Sequence, residues 1–382
     1  MRLGDCCKTN LHTYSDKEKW SLIRYLDTGS ITEGRIDEIQ TLYPGVDKIP
    51  SRARRKASVG DILFSTVRPN QKHYGIIEAG TENLLVSTGF TVVTVDTTIA
   101  DPYFIYYYLT QSSVIESLQA IAEQSTSTYP SIKPSDIEDI ELDLPELETQ
   151  KKIGSTLRML DRKIALNEEI NDNLQQQAAA LFSSLYDQSN TEVRFTDLIQ
   201  ILGGGTPKTG ENSYWNGNIA FFTPKDVGTP YTLITEKTIS KEGLSHCNSR
   251  LYPVNTVFVT ARGTVGKVGM SGVPMAMNQS CYALVGKETH QLLVYFYTLK
   301  AVDRLKHKAS GAVFDAITTR DFESEQIMKL SDDDATAFLR VAEPMFQEVL
   351  NNNIENLRLS TLRDSLLPKL MSGEIDVSAV LL

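Results

Sequence analysis

The chain is short of the residues that hold secreted or metal-bound folds together. Only four of its 382 residues are cysteine (Cys6, Cys7, Cys247 and Cys281) and five are histidine (His12, His73, His246, His290 and His307). Adjacent Cys6 and Cys7 do not make a disulfide framework, and there is no C-x-x-C, so a reducing compartment is expected. No two histidines stand four apart, and His246 beside Cys247 lacks two more ligands at useful spacing, so no metal site is expected. No run of about 18 apolar residues occurs, which argues against a membrane-spanning helix. The opening "MRLGDCCKTN" has no apolar core of a signal peptide. A cytoplasmic chain is the expectation. Basic charge is also in deficit: 38 Lys and Arg against 48 Asp and Glu give a net charge of −10. A surface coated in positive charge is thereby excluded, but local basic patches are not.

Catalytic signatures are equally scarce. Gly205 and Gly210 in "GGGTPKTGENSYWNGNIAFFTPKDVG" (Gly203 to Gly228) have the glycine spacing of a phosphate loop. Glu211 and Asn212 follow where lysine and a hydroxyl residue are required, and a glutamate there would repel a triphosphate. "DPYF" at Asp101 lacks one proline of an amino-methyltransferase loop, and no glycine-rich cofactor loop precedes it. "NQSCY" at Asn278 fails in a similar way. There is no E-x-K nuclease strand and no G-x-S-x-G elbow. Catalysis within this chain is not expected.

What the sequence does contain is an internal repeat. At an offset of 185, "YPSIKPSDIEDIEL" (Tyr129 to Leu142) aligns with "FDAITTRDFESEQI" (Phe314 to Ile327). Tyr129 then meets Phe314, Ile132 meets Ile317 and Asp136 meets Asp321. Downstream, each copy enters a helix-forming run with a heptad seam. The first seam is Ile153, Leu157, Leu160, Ile164, Asn167, Asn171, Leu174, Ala178, Leu181 and Leu185. Adding 185 gives Phe338, Ala342, Met345, Val349, Asn352, Asn356, Leu359, Arg363, Leu366 and Leu370. Both seams are interrupted by asparagine at the same two places, which a chance match of apolar periods would not reproduce. More loosely, "GDILFSTVRPN" (Gly60 to Asn70) resembles "NTVFVTARGTV" (Asn255 to Val265). Both are strand patterns leading to a turn that carries Arg68 or Arg262.

A helix over about Leu147 to Tyr186 would be about 60 Å long and cannot bury its seam alone. Globular segments alternating with helices suggest that the two helices run antiparallel. In the register that faces Asn167 with Asn356 and Asn171 with Asn352, Ile153 meets Leu370. Ile164 then meets Leu359, and Leu174 meets Val349. Leu157 and Leu366 extend the same seam. A polar centre penalises slipped registers. Arg363 falls opposite Leu160, where it is expected to turn outward. Pro344 is expected to start or bend the second helix, and Gly373 to stop it.

The basic residues are local. Positions 51 to 75 hold Arg52, Arg54, Arg55, Lys56, Arg68 and Lys72 against the single acid Asp61. Between Gly203 and Ser271 stand Lys208, Lys225, Lys237, Lys241, Arg250, Arg262 and Lys267, interleaved with Asn212, Tyr214, Trp215, Asn216 and Asn218. Such mixtures suit phosphate contacts and base-edge hydrogen bonds. Trp215 reads first as a core anchor, and Gly203 to Gly205 as a tight turn with positive φ.

Three stretches resemble one family. "GGGTPKTGENSYWNGNIAFFTPKDV" is similar to the segment opening many target recognition domains in specificity subunits of type I restriction–modification systems. "LPELETQKKIGSTLRMLDRKIALNEEINDNLQQQAAALF" resembles the central spacer helix of those subunits, and "LRDSLLPKLMSGEIDV" their C-terminal helix ending. The resemblance covers nearly the whole chain. It implies an α+β fold, with two mixed α/β target recognition domains separated by two long antiparallel coiled-coil helices in a pseudo-two-fold repeat. The expected domains are 1–145 (recognition), 146–188 (central spacer helix), 189–331 (recognition) and 332–382 (C-terminal spacer helix). The family implies a noncatalytic subunit that reads a bipartite double-stranded DNA site. It recruits two methyltransferase (modification) subunits and restriction/translocase subunits. S-adenosylmethionine, ATP and Mg would be bound by those partners, and no cofactor by this chain. The first half reads "WSLIRYLDTGSITEGRI" where the second carries its glycine motif, so the two domains are of different subtypes and the target asymmetric. Expected DNA contacts are Arg52, Arg54, Arg55, Lys56, Arg68, Lys72, Lys208, Tyr214, Lys225, Arg262 and Lys267. The alternatives are a stand-alone methyltransferase or nuclease, and a spacer that binds only proteins.

Overall fold

The computed structural model describes residues 1–125, 129–308 and 316–377. The expected partner of Tyr129 in the repeat, Phe314, lies outside them. Two compact units form. Unit 1 is Met1–Lys163 together with the chain from Leu359 onward, and unit 2 is Ile164–Arg358. No described helix is long and apolar enough to cross a membrane.

The two units share the pairing pattern of their two larger sheets. In unit 1 an antiparallel sheet has the order Cys7–Thr9, Phe90–Val95, Ile62–Ser65, Tyr74–Ile76. In unit 2 the order is Ile199–Gly203, Cys281–Gly286, Val257–Thr260, Val268–Ser271, with Tyr231–Thr232 added in parallel at the edge. The second sheet of unit 1, besides an edge strand Ala53–Lys56 antiparallel to Leu84–Ser87, pairs Ile23–Leu26 in parallel with Leu84–Ser87 and antiparallel with Gln40–Leu42. Unit 2 repeats this with Trp215–Phe222, Met275–Met277 and Lys237–Ile239.

The repeat extends to single hydrogen bonds. The Ile132 amide donates to the Thr66 carbonyl at 2.8 Å, and Ile317 to Ala261 at 3.0 Å. Gly60 and Asn255 each stand two residues before the matched strands (62 − 60; 257 − 255), and both have positive φ (89° and 68°). Counting from them, Arg68 (φ 49°) corresponds to Gly263 (φ 82°) and Val67 to Arg262. Val67 and Arg262 make the matched bridges to Ser131 and Ala316. The two arginines therefore stand one residue apart in the shared frame.

The helices run Leu147–Gln188 and Asp332–Met371. The second begins twelve residues before Pro344 (344 − 332), so that proline neither starts nor ends it. Its start is set by Ser331, whose hydroxyl accepts from the Asp334 amide at 3.1 Å. Three aspartates in the first turn complement the helix dipole. An interior proline removes one backbone bond. Here Phe338, Ala342, Phe346 and Val349 on either side are all buried in the unit 2 core, which offsets that loss. The helix stops before Gly373, at φ +74°, a conformation that glycine adopts without strain.

In unit 2 the two helix segments run antiparallel through an amide ladder. Asn167 Nδ2 donates to Asn356 Oδ1 at 2.8 Å, Asn352 Nδ2 to Asn171 Oδ1 at 2.9 Å, and Asn171 Nδ2 to Asn353 Oδ1 at 2.9 Å. Above it Phe182 packs on Phe296 (centroids 4.9 Å), Phe338 (5.4 Å) and Tyr297 (5.5 Å). In unit 1 Ile153, Leu157 and Leu370 enter one core with Phe104, Ile105 and Leu109, while Leu366 packs at its margin. Arg363 does not turn outward: it pairs with Asp161 at 2.7 Å, and its side chain is only 26% exposed. A carboxylate one position along from Leu160 supplies the partner that solvent was expected to supply.

The two stretches that fall short of catalytic motifs have local structural roles. In "DPYF", Asp101 caps the helix Pro102–Leu109 through the Phe104 amide at 2.9 Å. In "NQSCY", Asn278 Oδ1 accepts from the Ser280 amide at 3.0 Å and shapes the turn into a strand. Burial, reinforced by Asp226, pushes the Cys281 thiol up to about 12, so it stays protonated and unreactive.

Candidate nucleic-acid interface

In unit 2, four inter-strand loops meet at one rim. The 261–267 loop reaches the 223–226 loop where the Thr264 hydroxyl donates to the Pro224 carbonyl at 3.1 Å. It reaches the 278–280 turn through the amides of Ala261 and Arg262, both bonded to the Ser280 carbonyl. Thr206 hydrogen-bonds Gln279, which brings in the glycine segment. Gly203 to Gly205 are absent from the residues with positive φ. Their requirement is space. A Cβ on Gly204 would stand 2.1 Å from the Asn278 carbonyl oxygen, and one on Gly205 2.6 Å from the Asn248 amide nitrogen. Glycine here permits close backbone approach rather than an unusual turn.

Asp226 stiffens the rim by accepting from the Thr223 amide (2.7 Å), the Thr223 hydroxyl (2.6 Å) and the Glu236 amide (2.8 Å). Arg262 and Lys267 are exposed on it. Lys225 is exposed too and pairs with Glu236 at 3.5 Å. Nearby, the Trp215 indole donates to the Lys208 carbonyl at 3.1 Å, with Lys237 over its ring at 5.7 Å. Trp215 packs against the Ile219, Phe221 and Ile239 cluster. Tyr214 stacks on His246 at 4.9 Å. His246 Nδ1 and Cys247 Sγ both donate to carbonyls of the preceding helical turn, at 2.9 and 3.5 Å.

Unit 1 builds the matching rim. Thr66 bonds the Gly89 carbonyl through both its amide and its hydroxyl, and the Thr88 amide bonds the Arg52 carbonyl at 2.9 Å. Arg52 and Arg68 are exposed, with the Arg68 guanidinium 5.4 Å from the Tyr129 ring centroid. Lys72 pairs with Glu33 at 2.5 Å.

The "RARRK" run divides along its strand. Arg52 lies at the rim. Arg54 lines a separate surface pocket with Tyr14 and Trp20. Arg55 is half-buried and bonded to Asn10, and burial alone lowers its pKa. Lys56 pairs with Glu18 at 2.5 Å and lies over Trp20 at 5.2 Å. The structure thus gathers Arg52 and Arg68 on one rim and Lys225, Arg262 and Lys267 on the other, with Arg55 and Lys56 engaged by neighbouring side chains. It adds Thr88, Thr206 and Gln279, which no charge pattern could have flagged. Cations on loops beside amides and hydroxyls are suited to phosphates and base edges respectively.

Residues 48–176 and 188–329 match the type I restriction modification DNA specificity domain. The chain is 25% identical, over 98% of both chains, to the type I restriction enzyme HindI specificity subunit of Haemophilus influenzae. It is 30% identical to the EcoR124I/EcoR124II specificity subunit of Escherichia coli over 37% of each. Its fold is similar to the type I restriction-modification system S subunit from M. genitalium, with TM-score 0.61 and 15% identity over 97% of this chain and 95% of that one.

Proposed function

Since the chain belongs to the type I restriction–modification DNA specificity family, and is a specificity subunit that recognises DNA sequence, we propose that each of its units is a target recognition domain reading one half of an asymmetric, bipartite site. The observation that carries this reading is one two-sheet body built twice with unlike rims. Where unit 1 has Arg68, unit 2 has Gly263, and the glycine segment of unit 2 has no counterpart in unit 1. Equal scaffolds with unequal loops suit two unlike half-sites.

In this reading the chain performs no chemistry and holds no cofactor of its own. Two modification subunits bring S-adenosylmethionine and methylate the DNA. Restriction subunits bring ATP and Mg. The modification subunits dock on the outer faces of the helices, in the cytoplasm. The spacer-only alternative has no use for exposed cations on matched rims.

Methylome sequencing of cells with and without the gene tests this directly: one bipartite motif is expected to vanish. A vanished palindromic or undivided motif counts against two unlike heads. With the reconstituted methyltransferase complex, Arg262→Ala is expected to weaken binding. If Arg262 reads a base, the loss is about 1–3 kcal/mol with relaxed specificity at one position; if it meets phosphate, the loss is uniform and the salt slope falls by about 1. Arg68→Ala is the matching change in unit 1. Unchanged affinity in both variants would remove the rims as the DNA-facing surface.

A further inference from the structure

Unit 1 contains a cavity of about 350 Å³, lined in part by Lys72 and Glu33. Its lining comes from the helix Pro102–Leu109, the turn into the helix Ser112–Glu123, the 72–74 segment and both long helices. The repeat shows how unit 2 treats the corresponding helix positions. At the offset of 185, Asp161 corresponds to Phe346 (161 + 185) and Arg363 to Ala178 (363 − 185). Phe346 and Ala178 are 3% and 0% exposed, within a packed aromatic core. Unit 1 instead places an ion pair beside hollow space. Apolar packing is commonly at least as stable as a desolvated ion pair, and the same scaffold has adopted it once. Such a departure from self-consistent packing is where a function is to be sought.

Two lining groups lack partners. Tyr74 and Tyr106 are only 6% and 7% exposed, and neither hydroxyl hydrogen-bonds a described residue. Neither oxygen is among the buried unpaired polar atoms of the described residues, so both open on the cavity and are free to bond a ligand that enters it.

Charge selects the ligand. The lining holds three carboxylates (Glu33, Asp161, Asp364) and two cations (Lys72, Arg363), a formal sum of −1 (2 − 3). Both cations are engaged. Lys72 meets Glu33 at 2.5 Å, while Arg363 meets Asp161 at 2.7 Å and Asp364 at 2.8 Å. The Asp364 side chain nevertheless remains 64% exposed. An anion would find the first turn of the helix Ser112–Glu123 but no uncommitted cation. An ammonium would find a carboxylate, two phenol oxygens and aromatic faces. Burial raises the Tyr74 pKa far above its ordinary value, and Glu33, Asp364 and Asp161 raise it further against the opposing Arg363. Burial disfavours charge of either sign, but the three carboxylates that add to the rise also favour a bound cation.

We propose that this cavity binds a small free alkylamine, a short diamine such as putrescine, with one ammonium held by Asp364 and the hydroxyl oxygens of Tyr74 and Tyr106. Titration calorimetry of putrescine into the purified full chain, without DNA and at physiological ionic strength, is expected to show saturable one-site binding. Asp364→Asn is expected to weaken it about tenfold, and Tyr106→Phe by several-fold, with circular dichroism unchanged. Glu288→Gln, an exposed acid in unit 2, is expected to leave it unaltered. The proposal is overturned by an absence of saturable binding, by parent-like binding after Asp364→Asn, by an equal loss after Glu288→Gln, or by inorganic phosphate binding in place of the diamine.

Discussion

Replacing Phe182 with alanine is expected to destabilise unit 2 by about 3–5 kcal/mol, the range for truncating a fully buried aromatic. Phe182 is 1% exposed and touches four aromatic rings: Tyr186, Phe296, Tyr297 and Phe338. Those rings come from both long helices and from the helix Gln291–Lys308, so little can move to refill the void. The two tryptophans make the effect local to measure, because Trp20 lies in unit 1 and Trp215 in unit 2. In a Trp20→Phe background, urea unfolding followed by Trp215 fluorescence is expected to shift its midpoint strongly, whereas in a Trp215→Phe background the Trp20 transition shifts less. A Trp215 change equivalent to less than about 1 kcal/mol would show that the cluster does not anchor the unit.

The amide ladder carries the second large effect. Asn167, Asn171 and Asn352 are 0%, 4% and 6% exposed, so their groups are satisfied only by one another and their neighbours. Asn352→Leu removes a 2.9 Å bond to Asn171 Oδ1 and leaves that acceptor in an apolar seam. A loss of about 1–3 kcal/mol is expected. Changing Asn171 to leucine as well is expected to recover most of it, while the helices lose the penalty against sliding by a turn. A double-mutant cycle in urea measures the coupling. Cysteines placed at Leu174 and Val349 report the register: cross-linking with one partner should give way to a mixture in the doubly leucine chain. Coupling below about 0.5 kcal/mol with an unchanged cross-link would deny the asparagines a register role.

The fold was legible where the repeat kept a chemical signature. Heptads alone would have aligned in several registers, but asparagines at 167, 171, 352 and 356 admit one, and the hydrogen bonds occupy it. The sequence carries no local trace of a partner that is distant along the chain. Seam geometry set Arg363 against Leu160, but the deciding neighbour was Asp161, 202 residues away and off the seam. The charge run at 52–56 could not show that a strand alternates its faces, which sends Arg55 to Asn10 and Lys56 to Glu18. Gly203 to Gly205 looked like a turn because the close approach of Gly204 to Asn278, 74 positions on (278 − 204), leaves no local trace. The rim amide Gln279 was missed for the same reason: an uncharged side chain gains meaning only from the loops that surround it.

Unit 1 draws its last core residues, Leu370 and Val377, from beyond the whole of unit 2. During synthesis the order of completion is therefore reversed relative to the order of emergence. The first 163 residues leave the ribosome early yet lack a wall of their core until translation has passed position 358. The continuous middle segment can close first. Chaperone demand, proteolytic vulnerability and the penalty of a premature stop codon should all fall most heavily on the part of the molecule that is made earliest.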